Sequence, residues 1–270
     1  MATSTQWQLA QDAAERYQRV LTPYILGPFA EKLVEFADLR PGERVVDVGC
    51  GTGAAARHAA QIVGESGSVV GIDVNHGMLA VAEALPAVRG ATVEWREANA
   101  TALPFDNASV DAVLCAQTLQ FLPDKAAALS EMARAVKRNG RVAVSFWSDI
   151  GESPYFNALV RAIDTHIGAE VAAGLRSAFG LADADVASAL FRNAGFRRVE
   201  MSQARLDLPL PTLTDFVPRH ISATPMSIGF QSASQDIQTR LVQSVCEELA
   251  FDGAETPSIP FTSHLALACL

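Results

Sequence analysis

The sequence predicts an α/β protein in which helices cover both faces of a parallel sheet. Strand patterns and helix patterns alternate from residue 44 to residue 147, and such alternation requires crossover connections between parallel strands. A glycine-rich turn at residues 49–53 directly follows the first strand and precedes a helix pattern. The chain has 270 residues, 49% of them apolar, which is sufficient for a continuous core.

The elements of this region are predicted from hydrophobic periodicity and from turn residues. Residues 10–39 have helical spacing that is broken at residues 22–23 and 27–28, each ending in proline, which predicts two or three short helices. The predicted strands are residues 44–48, 68–73, 91–95, 110–115 and 141–147, and the predicted helices between them are residues 54–63, 76–85 and 124–137. An Arg-Asn-Gly sequence at residues 138–140 predicts a turn.

The downstream part of the chain contains an insertion. Helix patterns at residues 153–176 and 183–193 lead to a strand near residues 197–207. Residues 209–257 are rich in Pro, Ser and Thr, and we expect them to form an insertion before a last strand at residues 259–268. The helical stretches of the insertion are residues 212–222 and 234–250. Insertions of this kind commonly form lids over active sites.

Composition and charge exclude several classes of function. A net charge of -9 with only 21 Lys and Arg residues is a poor match for a nucleic-acid backbone. The first residues lack a targeting pattern and no apolar run approaches the length of a membrane span, so we expect a cytoplasmic protein without membrane contact. The cysteines are far apart and lack metal-binding spacing, so we expect neither disulfides nor a bound metal.

The glycine-rich turn predicts a ligand site built from backbone atoms. Gly49 and Gly51 allow a tight turn with positive φ and leave room for a ligand against the main chain. The following helix offers unpaired N–H groups at the end of the strand. Asp73, twenty residues after Gly53, ends a second apolar strand, where a carboxylate suits the two hydroxyl groups of a ribose. Asn75 fits the cap of the next helix better than Asp73 does.

Several motifs, taken in order, resemble the class I S-adenosylmethionine-dependent methyltransferases, and within them the small-molecule branch that includes quinone-biosynthesis enzymes. The motifs are VDVGCGTG at residues 46–53, VGIDVNHGML at 70–79, NATALPFD at 99–106, SVDAVLC at 109–115 and LQFLPD at 119–124. The resemblance covers roughly residues 30–200. It implies a Rossmann-like sheet of seven strands with the last strand antiparallel, S-adenosylmethionine as cofactor and S-adenosylhomocysteine as product.

The resemblance also implies an organisation and a set of cofactor residues. Together with the helix and strand patterns, it divides the chain into an N-terminal helical cap (1–40), a cofactor-binding methyltransferase core (41–208), a helical lid insertion (209–257) and the last core strand (258–270). Asp73 would hold the ribose, Met78 would pack beside the adenine, and Asn99 replaces an aspartate that usually accepts a bond from the adenine amino group. The residues assigned to the cofactor are Asp47, Gly49, Cys50, Gly51, Asp73, Val74, Met78, Asn99, Ala100, Ala116 and Gln117.

The predicted reaction is in-line transfer of a methyl group to O, N or C of a small, mainly apolar metabolite. Positioning is the main requirement, and a base is needed only when the acceptor is a poor nucleophile. His166, His220 and Tyr17 are the candidates on the substrate side. The aromatic rings of Tyr17, Trp7 and Tyr24 would close over a cationic sulfonium or pack in the core. The chain lacks Asn/Asp-Pro-Pro-Tyr after the fourth strand, which disfavours nucleic-acid bases as substrates.

Other interpretations stay open at the level of sequence. Gly49 and Gly51, followed by Ala54, also satisfy the dinucleotide fingerprint, so a nicotinamide-dependent dehydrogenase is a rival. Asp47 and the absence of a Tyr-x-x-x-Lys pair argue against it. An enzyme could instead use the bound sulfonium for an isomerisation or cyclisation, and a protein without turnover could bind the same cofactor. A homodimer is compatible with the sequence.

Overall fold

A seven-stranded sheet organises the protein, whose computed structural model describes residues 11–251 and 256–270. The strands are β1 Arg44–Val48, β2 Ser68–Asp73, β3 Val93–Glu97, β4 Val110–Ala116, β5 Val136–Trp147, β6 Arg198–Pro209 and β7 Ser258–Cys269. They lie in the order β3-β2-β1-β4-β5-β7-β6. β7 is antiparallel to both of its neighbours and the other pairs are parallel. The predicted seven-stranded, mostly parallel sheet is therefore confirmed.

Helices cover both faces of this sheet. The α-helices are α1 Gln11–Leu21, α2 Gly27–Phe36, α3 Ala54–Val63, α4 His76–Ala84, α5 Lys125–Ala135, α6 Pro154–His166, α7 Ala169–Arg176, α8 Ala184–Asn193, α9 Leu213–Ser222, α10 Ser227–Ser232 and α11 Gln235–Glu248. Successive strand residues point to opposite faces, so that Val45 joins one buried cluster with α2, α3 and α6, while Val46 joins another with α5 and α8. None of the described helices is long and apolar enough to cross a bilayer.

The chain order reverses at β1, which lies between β2 and β4. β1 is parallel to both neighbours, so their carboxyl ends meet at the same edge of the sheet. This reversal opens a crevice where ligands of such sheets usually bind. The glycine-rich turn follows β1 at this edge.

The N-terminal region is divided at the two predicted breaks, although its helical segments are continuous. α1 and α2 are joined by a π-helical segment, Thr22–Leu26, so the chain is helical from residue 11 to residue 36. Gly27 N–H donates to the Thr22 carbonyl, five residues earlier, which is the π-helical hydrogen bond. Pro23 and Pro28 each lie in the first turn of their segments, where a proline sacrifices little hydrogen bonding.

Two further expectations are corrected by the structure. Residues 138–140, expected to form a turn, lie inside β5, where the register of β4 against β5 shifts between Val110 and Ala112 and the extra residues bulge out. The single helix pattern at residues 153–176 is divided into α6 and α7, because Gly168 between them has a φ of +139°.

The insertion between β6 and β7 consists of α9, α10 and α11. α11 packs against α6 and α9, and α9 packs against α1. α9 and α1 therefore meet above the carboxyl edge of the sheet, where Arg16 Nε donates to the Ser222 carbonyl at 3.0 Å. This contact brings the N-terminal helices and the insertion together beside the glycine-rich turn.

Candidate functional site

The glycine-rich turn is held against β2 by backbone hydrogen bonds. The N–H groups of Gly49 and Cys50 both donate to the Ile72 carbonyl, at 2.7 and 2.9 Å. Gly49 has a φ of +71°, and a Cβ there would lie 2.2 Å from Cγ2 of Thr118. The Thr118 hydroxyl donates to the Gly49 carbonyl at 2.9 Å. The close approach of Thr118 explains why glycine is needed at residue 49.

Gly51 is needed for a different reason. Its φ is +54°, and a Cβ on this residue would meet no atom of the described residues within 4 Å, so these residues leave the space beside the turn open. Its N–H donates to Oδ2 of Asp73 at 2.8 Å, while the N–H of Asn75 donates to Oδ1 at 2.8 Å. A carboxylate can accept about four hydrogen bonds, so Asp73 retains capacity for a further donor beside this space.

The surroundings of Asp73 shift the pKa of its carboxyl group in two opposing directions. Burial raises the pKa of Asp73, and the N–H groups of Asn75, Gly51 and Val74 counteract part of that rise. The side chain of Asn75 accepts the Met78 N–H at 3.1 Å and caps α4, which confirms the predicted cap. Asp73 is thus free of a capping role and presents a half-buried carboxyl group to the crevice.

Asp47 is the second carboxyl group of the site. It is fully buried in β1, and its Oδ2 accepts the Ala56 N–H at 2.9 Å near the start of α3. Its Oδ1 is buried and has no hydrogen-bond partner within the described part of the chain. Burial raises the pKa of Asp47 to about 7. A buried carboxylate with an unpaired oxygen favours a cationic ligand nearby, because burying an uncompensated anion is costly.

The residues expected around the adenine lie beside β2 and β3. Met78 and Ala100 are buried, whereas Val74 is exposed. Oδ1 of Asn99 accepts both the N–H and the hydroxyl of Thr101, each at 3.0 Å. Because a carbonyl oxygen has two lone pairs, Asn99 could accept a bond from the adenine only if Thr101 released one.

Cys50 packs inside the glycine-rich turn. Its side chain is buried, and its Sγ would lie 3.0 Å from a Cβ placed on Gly71. Burial, with the nearby carboxyl groups of Asp47 and Asp73, raises the pKa of the Cys50 thiol. The thiol therefore stays protonated and packs as a small apolar group.

The end of β4 carries a strained residue that faces the site. Gln117 has a φ of +50°, which is uncommon outside glycine. Its N–H donates to the Ser145 carbonyl at 2.9 Å, and its Nε2 donates to Oγ of Ser263 at 2.8 Å. β5 thus fixes the backbone of Gln117 and β7 its side chain, next to Ala116 at the end of β4.

A cleft of about 70 Å³ opens beside Gln117. Its lining comes from the N-terminal helices, β5, α6, α7 and the insertion, and it is mainly aromatic and aliphatic. The lining residues are Tyr17, Leu21, Ile25, Leu26, Gln117, Phe121, Trp147, Phe156, Leu175, Ala178, His220 and Thr224. Burial and the nearby Asp73 carboxylate raise the pKa of the Tyr17 phenol, which keeps it neutral. The cleft therefore adjoins the carboxylate of the crevice.

The structure brings some of the candidate substrate-side residues together and separates others. Tyr17 and His220 line the same cleft although they are 203 residues apart. His166 is not among the lining residues, because its Nε2 pairs with Oγ of Ser244 on α11 at 2.8 Å. Tyr24 packs edge-on against Phe216, with ring centroids 5.7 Å apart. Trp7 lies outside the described residues.

Sequence reasoning missed Tyr155, whose hydroxyl lies 3.0 Å from Nδ1 of His220. It also missed Trp147 and Phe156, whose rings are T-shaped with centroids 5.0 Å apart at the wall of the cleft. In the sequence, these residues are ordinary apolar positions of a strand and a helix. Only the contact of Tyr155 with His220 and the position of Trp147 and Phe156 at the cleft distinguish them from core residues.

The strand order, the antiparallel β7 and the carboxylate of β2 facing the glycine-rich turn define the class I methyltransferase fold. Residues 46–144 match the family described as a methyltransferase domain. Residues 46–144 thus match a methyltransferase domain, within a chain that has the class I methyltransferase fold.

Named relatives support this assignment. The chain is 36% identical to nocamycin O-methyltransferase of Saccharothrix syringae, over 44% of this chain and 42% of the relative. It is 34% identical to the ubiquinone/menaquinone biosynthesis C-methyltransferase UbiE of Teredinibacter turnerae, over 49% and 53% of the two chains. The chain therefore spans about half the length of the curated relatives it matches.

A solved structure shows the same fold. Phosphoethanolamine N-methyltransferase 2 of Haemonchus contortus, in complex with S-adenosyl-L-methionine, superposes with a TM-score of 0.61. The similarity covers 100% of this chain and 60% of that one, at 17% sequence identity. At this identity the likeness concerns the fold alone.

Proposed function

We propose that this protein is an S-adenosylmethionine-dependent methyltransferase that acts on a small, mainly apolar metabolite, with O, N or C as the acceptor. The observation that carries the proposal is the pairing of Gly51 with Asp73. The glycine leaves open space at the turn, and the carboxylate beside it keeps acceptor capacity for a hydroxyl donor. This arrangement suits a ribose lying across the ends of β1 and β2.

The residues of the crevice fit the cofactor's chemistry. S-adenosylmethionine supplies an electrophilic methyl group on a sulfonium and carries an ammonium group on its methionine part. Asp73 would hold the ribose hydroxyls, and the Gly49–Gly51 backbone would lie against the methionine part. The unpaired Oδ1 of Asp47 and its raised pKa favour a cationic ligand over a pyrophosphate, which a dinucleotide would bring to the same turn.

The protein's own contribution to the reaction is positioning. Gln117, fixed by Ser145 and Ser263, would border the reacting centre. The cleft behind it would hold the acceptor in line with the methyl group and exclude water. Its walls include residues of α1, of the π-helical segment and of α9, and the N-terminal helices and the insertion would act as cap and lid.

Two relatives support an apolar substrate while leaving the acceptor atom open. One is named as an O-methyltransferase and the other as a C-methyltransferase of quinone biosynthesis. None of the side chains lining the cleft is a Lys, Arg, Asp or Glu. An unpaired ionic substrate would therefore lose its hydration without compensation.

Calorimetric titration with S-adenosylhomocysteine tests the proposal. We expect binding by the wild-type protein and at least about tenfold weaker binding by Asp73→Asn, because each hydrogen bond to a charged group contributes about 1.5–3 kcal/mol. Asp207→Asn, at an exposed position on β6, is the matched control and should bind normally. Binding of a nicotinamide dinucleotide instead of the sulfur compound would refute the proposal.

Transfer of a radiolabelled methyl group into a metabolite extract tests turnover itself. Product should partition into an organic phase if the acceptor is mainly apolar. Tight binding of the cofactor without any labelled product would instead favour the non-methylating interpretations.

A further inference from the structure

His220 and Tyr155 form a buried pair at the wall of the cleft. The Tyr155 hydroxyl lies 3.0 Å from Nδ1 of His220, and both side chains are almost fully buried. Their rings are stacked with centroids 5.5 Å apart. The remaining ring neighbours of Tyr155 are Phe156, Phe216 and Phe261, which offer no acceptor to a hydroxyl group. The Tyr155 hydroxyl and Nδ1 of His220 must therefore hydrogen-bond to each other.

Only one arrangement of the protons satisfies both residues. If Nδ1 of His220 carried the proton, it would donate to the Tyr155 oxygen and leave the phenolic O–H without an acceptor. A buried donor without an acceptor is costly. If the Tyr155 hydroxyl donates to Nδ1, this cost disappears, and the proton of the neutral imidazole is then on Nε2.

Burial keeps both groups in this neutral state. It lowers the pKa of His220 to about 3 and raises the pKa of Tyr155 well above its ordinary value. Tyr17 on α1 is the other titratable residue that lines the cleft, and it is also neutral. Arg219 beside His220 on α9 is paired with Asp215 at the exposed side of the helix. No described ionic group offsets the burial of the imidazole.

The Nε2 edge of His220 is the part of the ring that remains available to the cleft. Nδ1 is occupied by Tyr155, and Nε2 has no hydrogen-bond partner among the described residues. His220 nevertheless lines the cleft together with the rings of Phe121, Trp147 and Phe156. The cleft thus offers a neutral N–H donor within an aromatic and aliphatic wall.

Building on the methyltransferase function proposed above, we propose that the cleft takes an uncharged ring compound with an oxygen at its rim, and that Nε2–H of His220 donates to that oxygen. Tyr155 is a positioning residue that holds the imidazole in this tautomer. An imidazole whose Nε2 is already protonated cannot remove a proton there, so His220 anchors the substrate and is not the general base. A site built around such a bond discriminates against analogues that lack the oxygen.

Nitrogen NMR of the histidine rings tests the tautomer, with His220→Phe used to assign the resonance. We expect Nε2 of His220 to be protonated and the ring to stay neutral from pH 8 to pH 5. Tyr155→Phe should give a mixture of tautomers, whereas Tyr24→Phe, a tyrosine that also packs against Phe216, should leave the resonance unchanged. Protonation of Nδ1 in the wild-type protein, or a titration near pH 6.5, would overturn the proposal.

Binding of simple ring compounds tests the substrate class. In protein with and without S-adenosylhomocysteine, acetophenone should bind about three to ten times more tightly than ethylbenzene, as expected for one neutral hydrogen bond. It should also shift the Nε2–H resonance. Benzoate should bind more weakly than either compound. In His220→Phe, acetophenone and ethylbenzene should bind equally well.

The outcomes separate this inference from the proposed function. Equal binding of acetophenone and ethylbenzene by the wild-type protein, preferred binding of benzoate, or no binding of acetophenone would overturn the assignment of the cleft, even if S-adenosylhomocysteine binds. A preference for acetophenone together with failure to bind S-adenosylhomocysteine would refute the cofactor and leave the donor role of His220 intact.

Discussion

Replacing Asp47 by asparagine should make the protein more stable at alkaline pH than at acidic pH, relative to the wild type. The substitution keeps the shape of the side chain, and its amide oxygen can still accept the Ala56 N–H that Oδ2 accepts at 2.9 Å. It removes a carboxyl group that is fully buried and whose Oδ1 has no partner. The pH-dependent difference in stability between Asp47→Asn and the wild type therefore measures the free-energy cost of ionising the Asp47 carboxyl group inside the protein.

The magnitude follows from the pKa of Asp47, which burial raises from 3.8 to about 7. Because the folded state holds this proton more tightly, stability falls as pH rises from the unfolded to the folded pKa, and the full loss is present above pH 7. The total is about 4 kcal/mol at 1.4 kcal/mol per unit, of which about 2.5 kcal/mol arises between pH 5 and pH 8. For a domain of this size, that corresponds to roughly 5–10 °C in Tm.

Differential scanning calorimetry of both proteins at pH 5 and pH 8 measures this quantity. The Tm difference, Asp47→Asn minus wild type, should increase by roughly 5–10 °C between the two pH values. Asp207→Asn, at an exposed position, should show a difference that does not depend on pH. If the difference for Asp47→Asn is the same at both pH values, Asp47 is not an unfavourably buried acid and the argument for a cationic ligand fails.

Further substitutions at Gly51, Gly53 and Arg141 test the glycine-rich turn and the ion pair of β5 with Glu43. Gly51→Val should fold with a loss of about 1–2 kcal/mol from its positive φ, yet bind S-adenosylhomocysteine at least about tenfold more weakly, because the new side chain fills the open space. Gly53→Ala should lower the Tm by more than Gly51→Ala does, since its Cβ would lie 2.3 Å from the Trp95 ring. Arg141→Lys should lower the free energy of unfolding in urea by about 1–3 kcal/mol, because lysine cannot reproduce the two-point contact with Glu43 at 2.7 and 2.8 Å. An unchanged denaturation midpoint would contradict that role for Arg141.

Local features of the site were predictable from sequence because they depend on neighbouring residues. The glycines of the turn and the acid at the tip of the next strand are marked by their place after apolar runs. The cap of α4 by Asn75 depends only on residues 75–78. Parallel pairing of β1 with β2 then brings Asp73 to Gly51 at 2.8 Å, as crossover topology requires.

Other features depended on how the backbone itself adapts. The prolines at residues 23 and 28 correctly marked two boundaries, but that the segment between them is a π-helix that keeps the chain helical is visible only in the structure. Asn99 was expected to accept a bond from the ligand, yet its oxygen is engaged by Thr101. A residue's sequence context indicates that it favours a turn or a hydrogen bond. Which neighbouring groups compete for that bond is visible only in the structure.

The sequence by itself determined the sheet, the glycine-rich turn and the acid beside it, because periodicity and turn chemistry act over a few residues. Only the tertiary structure decided which distant side chains share the cleft. His166 and His220 are both on helices, but α6 directs one toward Ser244 on α11 while α9 places the other beside Tyr155. The rotation of a helix about its axis is set by long-range packing, so no local pattern could have distinguished them.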